Sequence, residues 1–222
     1  MSYKEEFIEF LVQCDALKFG EFELKSGRIA PYFINTGMFD TGTKIKKLGT
    51  YYAKAVQEHF KDDFDGIYGP AYKGIPLCIT AATALADEGI DKGYVFNRKE
   101  AKTYGDASAV VGMPLSSDKR LILIDDVITS GKAIRESLEV LKNCNNPAVA
   151  GIVISVNRQE KGKTDKNALK EVADILGIPI FAIVTITEII DFLHNREING
   201  KVVLDDAMKE KIEAYRKTYG AD

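Results

Sequence analysis

The chain has 222 residues, enough for one compact domain, or one core with a smaller appendage. Its 45% hydrophobic and 28% charged residues exclude the disordered, collagenous and small disulfide-stapled classes. A formal net charge of -3 argues against a partner such as duplex DNA or an anionic membrane, so any bound anion has to be met by a local cluster of donors.

Phe7, Leu11 and Cys14 recur at helical spacing ahead of Gly20, which predicts an amphipathic helix. Glu21 to Asn35 alternates and is cut by Gly27 and Pro31, so it reads as two short strands or loops. A helix through Ile45, Leu48, Tyr52 and Ala55 follows. Short β-rich runs then alternate with helical patterns. GIYG (66–69) precedes an Ala-rich helix ending near Gly89, and YVF (94–96) precedes a long polar stretch. LILIDD (121–126) precedes a helix through Ile134, Leu138 and Leu141. GIVISV (151–156) precedes one through Leu169, Val172 and Leu176, closed by Gly177 and Pro179. IFAIV (180–184) reads as the last strand, and the tail from Thr187 holds two short helical patterns. Near-continuous apolar runs suit strands buried on both faces, and their alternation with helices predicts an α/β fold with a mostly parallel, doubly wound sheet.

Cys14, Cys78 and Cys144 are odd in number and widely spaced, which fits a reduced, cytoplasmic chain. The acidic start MSYKEEFIEF is unlike a signal peptide, and no 18-residue apolar window predicts a membrane span.

Ligands of such sheets bind beyond the carboxyl ends of the strands. The most informative strand end is LILIDDVITSGKA (121–133), where a buried run ends in two carboxylates and passes through a hydroxyl-rich turn into a helix. Side chains alternate along a strand, so Asp125 and Asp126 can serve one ligand only where the strand is ending. Two carboxylates about 5 Å apart repel by roughly 3 kcal/mol at an effective dielectric near 20, so donors or a metal should accompany them. Thr129, Ser130, Gly131, Lys132 and Ala133 offer hydroxyls and backbone N–H groups at a helix start, a cradle for phosphate. A plain strand end plus helix cap needs only one of these residues; the ordered run supplies an anion pocket beside a diol or metal pocket.

Three other segments are weaker alone. Gly69-Pro-Ala-Tyr72-Lys73-Gly-Ile-Pro76 presents a cation in a tight turn, otherwise an ordinary solvated lysine. Asn97-Arg98-Lys99-Glu100-Ala101-Lys102 carries net +2 and leads into a loop-like stretch long enough for a lid, or is a solvated turn. Lys25-Ser-Gly-Arg28 and Pro31-Tyr-Phe33-Ile-Asn35 read locally as a turn and an edge strand.

Together these segments carry a resemblance. The 121–133 run is similar to the 5-phosphoribosyl 1-pyrophosphate (PRPP) motif of type I phosphoribosyltransferases. LKFGEFELKSGRIAPYF, GPAYKGIP, FNRKEAK, DDVITSGKAIRES and SVNRQEKG stand in the order and spacing of the orotate phosphoribosyltransferases over nearly the whole chain. The resemblance implies a type I phosphoribosyltransferase fold with a hood (about 1–40 plus 187–222), a PRPP-binding core (about 41–186) and a mobile lid (about 102–118). It also implies transfer of phosphoribose from PRPP to orotate in pyrimidine (UMP) biosynthesis, giving orotidine 5'-phosphate and pyrophosphate. Lys102, Asp125 and Asp126 are then catalytic. PRPP falls to Lys25, Tyr72, Lys73, Arg98, Lys99, Lys102, Asp125, Asp126, Val127, Ile128, Thr129, Ser130, Gly131, Lys132 and Ala133. Orotate falls to Lys25, Phe33, Thr129 and Arg158, whose fork suits a carboxylate. Mg2+ is expected mainly through PRPP and water, with Asp125 or Asp126 as its protein ligands, and the lid implies a homodimer sharing residues across subunits.

Three positions depart from the family pattern: Ile34 for a second Phe, Asn157 for an Asp, and Tyr104 for the lid's usual His. Tyr can donate a hydrogen bond but brings no imidazolium charge. Rival readings are a transferase for another nucleobase and a non-catalytic PRPP-binding regulator, the latter disfavoured by the cations of the lid. A dinucleotide enzyme lacks its GxGxxG after the first parallel strand.

Overall fold

The computed structural model describes residues 1–24, 27–98, 109–128, 131–162 and 164–221. Helix α1 (Tyr3–Gln13) opens on a capping box between Ser2 and Glu5 and is followed by the antiparallel pair β1 (Leu17–Glu23) and β2 (Ile29–Ile34). A 3-10 turn (Thr36–Met38) leads to α2 (Gly42–Phe60), capped by Thr41. Then come β3 (Gly66–Gly69), α3 (Gly74–Asp87), β4 (Gly93–Asn97), β5 (Val110–Gly112) and β6 (Arg120–Asp125). Next are α4 (Lys132–Asn143), β7 (Ala148–Asn157), α5 (Ala168–Leu176) and β8 (Ile180–Thr185). The chain continues through α6 (Ile186–Leu193), the two-residue strands β9 (Glu197–Ile198) and β10 (Lys201–Val202), and α7 (Asp206–Tyr219).

The main sheet has the order β5-β4-β3-β6-β7-β8, parallel except for β5. Both its faces are covered, which is why its strands read as unbroken apolar runs. Along β6 the side chains divide strictly: Ile122 and Ile124 join the core beneath α2 and α3, while Leu121 and Leu123 join the core beneath α4 and α5. All four are fully buried, each contributing roughly 1.5–3 kcal/mol of burial free energy. The first of these cores runs on without a break into α1, the β1–β2 pair, α6 and α7, through Phe7, Leu11, Tyr32, Ile189, Leu193 and Ile212. Both ends of the chain therefore pack on one side of the sheet.

Two differences from the sequence reading stand out. The stretch expected as a lid from about 102 to 118 is not loop throughout. Val110–Gly112 pair antiparallel with β4 and cover its open edge, and Met113 packs where Gly66 and Gly93 have no side chains. Residues 102–108 lie outside the described residues. IFAIV is not the last strand either, since β9 and β10 form a small hairpin between α6 and α7. Among the described residues no helix is long and apolar enough to cross a membrane. The three cysteines are free, Cys14 and Cys78 buried.

Candidate active site

From β3 the chain crosses to β4 on one side and then to β6 on the other, so the winding reverses between β3 and β6. Helix α3 leaves toward one face of the sheet and α4 toward the other, which opens a crevice above these two strand ends. Its lips are the loop after β3, carrying Tyr72 and Lys73, and the residues after β6, beginning with Asp126. Lys73 Nζ lies 3.0 Å from Asp126 Oδ2 and closes the gap between them.

The acidic pair is built from all sides. Asp126 Oδ2 also accepts from Thr36 Oγ1 at 2.9 Å, and its Oδ1 accepts from the Val127 N–H at 2.8 Å. Its carbonyl oxygen takes Ser155 Oγ at 2.6 Å, and Tyr52 OH donates to the Asp125 carbonyl at 2.9 Å. Asp125 Oδ1 accepts from the N–H of Asp126 at 2.9 Å. Both carboxylates are buried, at 8% and 7% exposure, yet their fates differ. Burial pushes Asp125 well above the ordinary carboxylate range, and the neighbouring Asp126 charge adds to it. Burial also pushes Asp126 up, but the donors Lys73, Thr36 and Val127 N–H outweigh it and hold that carboxyl below its usual value. One site thus holds a firm carboxylate beside one that readily keeps a proton. Among the described residues, no three His, Cys, Asp or Glu side chains cluster to hold a metal.

Helix α4 has Gly131 as its N-cap, in the left-handed region at φ 66, and like α3 it has no side-chain cap among the described residues, whereas Ser2, Thr41, Asn167, Thr185 and Asp205 cap α1, α2, α5, α6 and α7. A Cβ at Gly131 would also meet Val172 Cγ1 at 3.0 Å. A cavity of about 320 Å³ sits over this helix start, lined by Asp125, Val127, Ile128, Gly131, Lys132 and Ala133 among others. Uncapped N–H groups at the positive end of a helix favour an anion there. A second groove, about 390 Å³ between α2 and α3, is lined by Thr50, Thr80 and Thr83, whose hydroxyls bond carbonyls of their own helices. Lys46 and Asp87 also line it.

The loop after β3 is fixed by packing and by Asn97. A Cβ on Gly69 would stand 2.1 Å from the Gly74 carbonyl oxygen, so only glycine lets α3 start so close to the strand. Asn97 Oδ1 accepts from the Ala71 N–H at 2.8 Å and from Tyr68 OH at 3.1 Å. The Ala71–Tyr72 peptide is cis. Arg98 follows Asn97, and its buried Nε has no hydrogen-bond partner among the described residues.

On the far side, Arg158 lies just past β7 and its guanidinium sits 4.9 Å over the Tyr32 ring. Glu160 Oε1 accepts from Arg158 Nε and Nη2 at 3.0 and 2.7 Å. Phe33 points to the other face of β2 from Tyr32 and stacks on Phe22 at 5.5 Å, so the hairpin does not bring Phe33 and Arg158 onto one face. Ile34 shares the Tyr32 face and packs on the core. Asn157 Oδ1 accepts the Gln159 N–H at 2.8 Å, a turn-holding bond that an aspartate could make equally well.

Lys25, Lys99, Lys102, Thr129 and Ser130 lie outside the described residues, as does Tyr104. Of the others, Lys73, Asp125 and Asp126 come together with the start of α4. The residues that hold them, Thr36, Tyr52, Asn97 and Ser155, were not expected. Ser155 had a signal, a polar residue inside GIVISV that is fully buried. The rest act across long stretches of chain.

Residues 36–189 match the family model described as Phosphoribosyl transferase domain. Among curated proteins, the chain is 48% identical over 221 residues to the orotate phosphoribosyltransferase of Clostridium botulinum (strain Alaska E43 / Type E3), covering 99% of both chains. It is 47% identical to that of Clostridium acetobutylicum, covering 98% of each. Among solved structures, it resembles the orotate phosphoribosyltransferase of Francisella tularensis with a TM-score of 0.83 and 40% identity, covering 97% of this chain and 100% of that one.

Proposed function

The chain belongs to the orotate phosphoribosyltransferases, pentosyltransferases of pyrimidine biosynthesis, and on that premise we propose how its own residues transfer the 5-phosphoribosyl group from PRPP to orotate. The observation that carries the assignment is the 3.0 Å contact of Lys73 with Asp126, a cation suited to pyrophosphate beside a carboxylate suited to ribose.

As pyrophosphate leaves ribose C1, negative charge grows on the leaving group and positive charge on the ring. Lys73 and Arg98, with Lys99 and Lys102, stabilise the leaving group, and fixed charges aimed at developing charge lower a barrier most. Asp126, already held by three donors, orients the ribose hydroxyls and offsets the cationic ring without rearranging. The run from Val127 to Ala133, which leads into α4, takes the 5'-phosphate. Orotate brings an anionic ring as nucleophile, so no strong protein base is needed. Arg158 meets its carboxylate, with Lys25 and Thr129 completing the base pocket, while Phe33 stays on the opposite face of β2, against Phe22.

The donor set fits Mg2+, which favours one or two carboxylates plus phosphate oxygens and water over an all-protein cage. Among the described residues Asp125 has the fewer hydrogen-bond donors, and in this reading its carboxyl would give up its proton to hold the ion. When bound, the ion would neutralise charge on pyrophosphate. The division into hood (1–40 plus 187–222), core (41–186) and lid, a homodimer sharing lid residues, and a cytoplasmic location complete the proposal.

The test is Mg2+-dependent loss of orotate with PRPP, read by absorbance, together with pyrophosphate release. Equal rates of both are expected. Turnover with uracil or a purine but none with orotate would overturn the assignment.

A further inference from the structure

Glu160 stands outside every role assigned above, yet it collects more donors than any other side chain described here. Its Oε1 accepts from Tyr32 OH at 2.9 Å, Tyr215 OH at 3.1 Å, and Arg158 Nε and Nη2 at 3.0 and 2.7 Å. These partners come from β2, from α7 and from the end of β7. The surrounding backbone is fixed as well: Glu160 bridges to Gly220, Lys161 N–H donates to the Tyr219 carbonyl, and Ala221 N–H donates to the Gln159 carbonyl. Gln159 Oε1 takes the N–H and hydroxyl of Thr187, whose hydroxyl in turn accepts from Arg216.

A guanidinium is planar, and its donors form a rigid fork. Glu160 grips the Nε/Nη2 edge, while Nη1 has no hydrogen bond among the described residues. The Tyr32 ring beneath fixes the plane of the group. One edge clasped and one face stacked leave a single presented edge, Nη1 with the outer N–H of Nη2, shaped for a bidentate carboxylate.

We propose that Glu160 is a positioning residue for base recognition, setting the angle at which Arg158 presents its outer edge to a carboxylated base, with Tyr32 and Tyr215 as its supports. This rests on the reading of Arg158 as the orotate contact. Charge and placement pull in opposite directions: deleting the carboxylate would also remove an anion behind the guanidinium and by itself favour an anionic base. Glu160→Asp separates the two, because it keeps the charge and withdraws the oxygen by one methylene.

The experiment measures KM for orotate and for PRPP in Glu160→Asp, Arg158→Ala and the double variant of the full chain. Displacing a recognition group by about 1 Å can cost orders of magnitude. Glu160→Asp is expected to raise KM for orotate about tenfold and to leave KM for PRPP within twofold. In the Arg158→Ala background it should add less than twofold. A normal orotate KM in Glu160→Asp, or an undiminished effect without Arg158, overturns the proposal. An unchanged orotate KM in Arg158→Ala instead removes the underlying reading of Arg158. Should Glu160→Asp not fold, Tyr215→Phe serves: a two- to fivefold rise in orotate KM alone supports the role, and a KM unchanged for orotate or raised equally for both substrates refutes it.

Discussion

Replacing Lys73 by Met keeps the aliphatic stem and removes only the charge, which separates the lysine's part in stability from its part in chemistry. Its side chain is 73% exposed, and ion pairs of such exposure are worth about 0–1 kcal/mol. Asp126 loses one donor but keeps Thr36 Oγ1 and the Val127 N–H. For a chain of this size 1 kcal/mol moves Tm by about 2–4 °C, so the melt should fall by no more than that. A charged hydrogen bond to a phosphate contributes about 1.5–3 kcal/mol, and each 1.4 kcal/mol is a factor of ten. The variant should therefore lose roughly ten- to a hundredfold in kcat/KM for PRPP. Differential scanning fluorimetry and steady-state rates with PRPP varied at saturating orotate provide the two readings. A melt lowered by more than about 8 °C would make Lys73 a structural residue. A normal melt with kcat/KM within threefold of the parent would remove it from the pyrophosphate site.

Gly69→Ala should cost about 1–3 kcal/mol or more, seen as a lower urea midpoint, because its Cβ meets the Gly74 carbonyl oxygen at 2.1 Å and backbone must move; a normal midpoint would contradict that packing. Asp125 keeps its proton in the folded protein above the ordinary carboxylate range, so the folded state there binds more protons than the unfolded one and loses stability as pH rises through that window. Asp125→Asn should then unfold at higher urea than the parent near neutral pH, with the gap closing toward pH 4, and a gap independent of pH would refute this. Asp126→Asn is expected to harm turnover and PRPP binding together, whereas Lys102→Ala mainly lowers turnover; kcat unchanged in Lys102→Ala defeats its assignment to the departing pyrophosphate.

The acidic pair and the glycine of the α4 start were readable because a strand end, a charge pair and a turn residue are local and fall within a dozen positions. The same is true of the sheet, whose strands announce themselves by apolar runs buried on both faces. What holds the pair was not readable. Tyr52 lies 73 residues before Asp125, and Thr36 lies 90 before Asp126; no periodicity links them. Strand β5 escaped because three residues at a sheet edge look like any loop, and β9 and β10 are shorter still. Phe33 shows the converse. Its resemblance to a stacking position is plain in sequence, but strand alternation turns its ring to Phe22 and away from Tyr32 and Arg158. Glu160 was invisible as a hub because its donors at 32, 158 and 215 converge only once both ends of the chain have packed.

That convergence fixes an order of events during synthesis. A ribosome makes the acidic pair, the α4 start and Arg158 well before Tyr215, so the clasp on Arg158 lacks one of its tyrosines until α7 has been made. Residues 219–221, which pin the backbone of 159–161, emerge later again. If Arg158 meets orotate as proposed, base recognition depends on chain made after the proposed phosphate side, and the two halves of the reaction site mature separately.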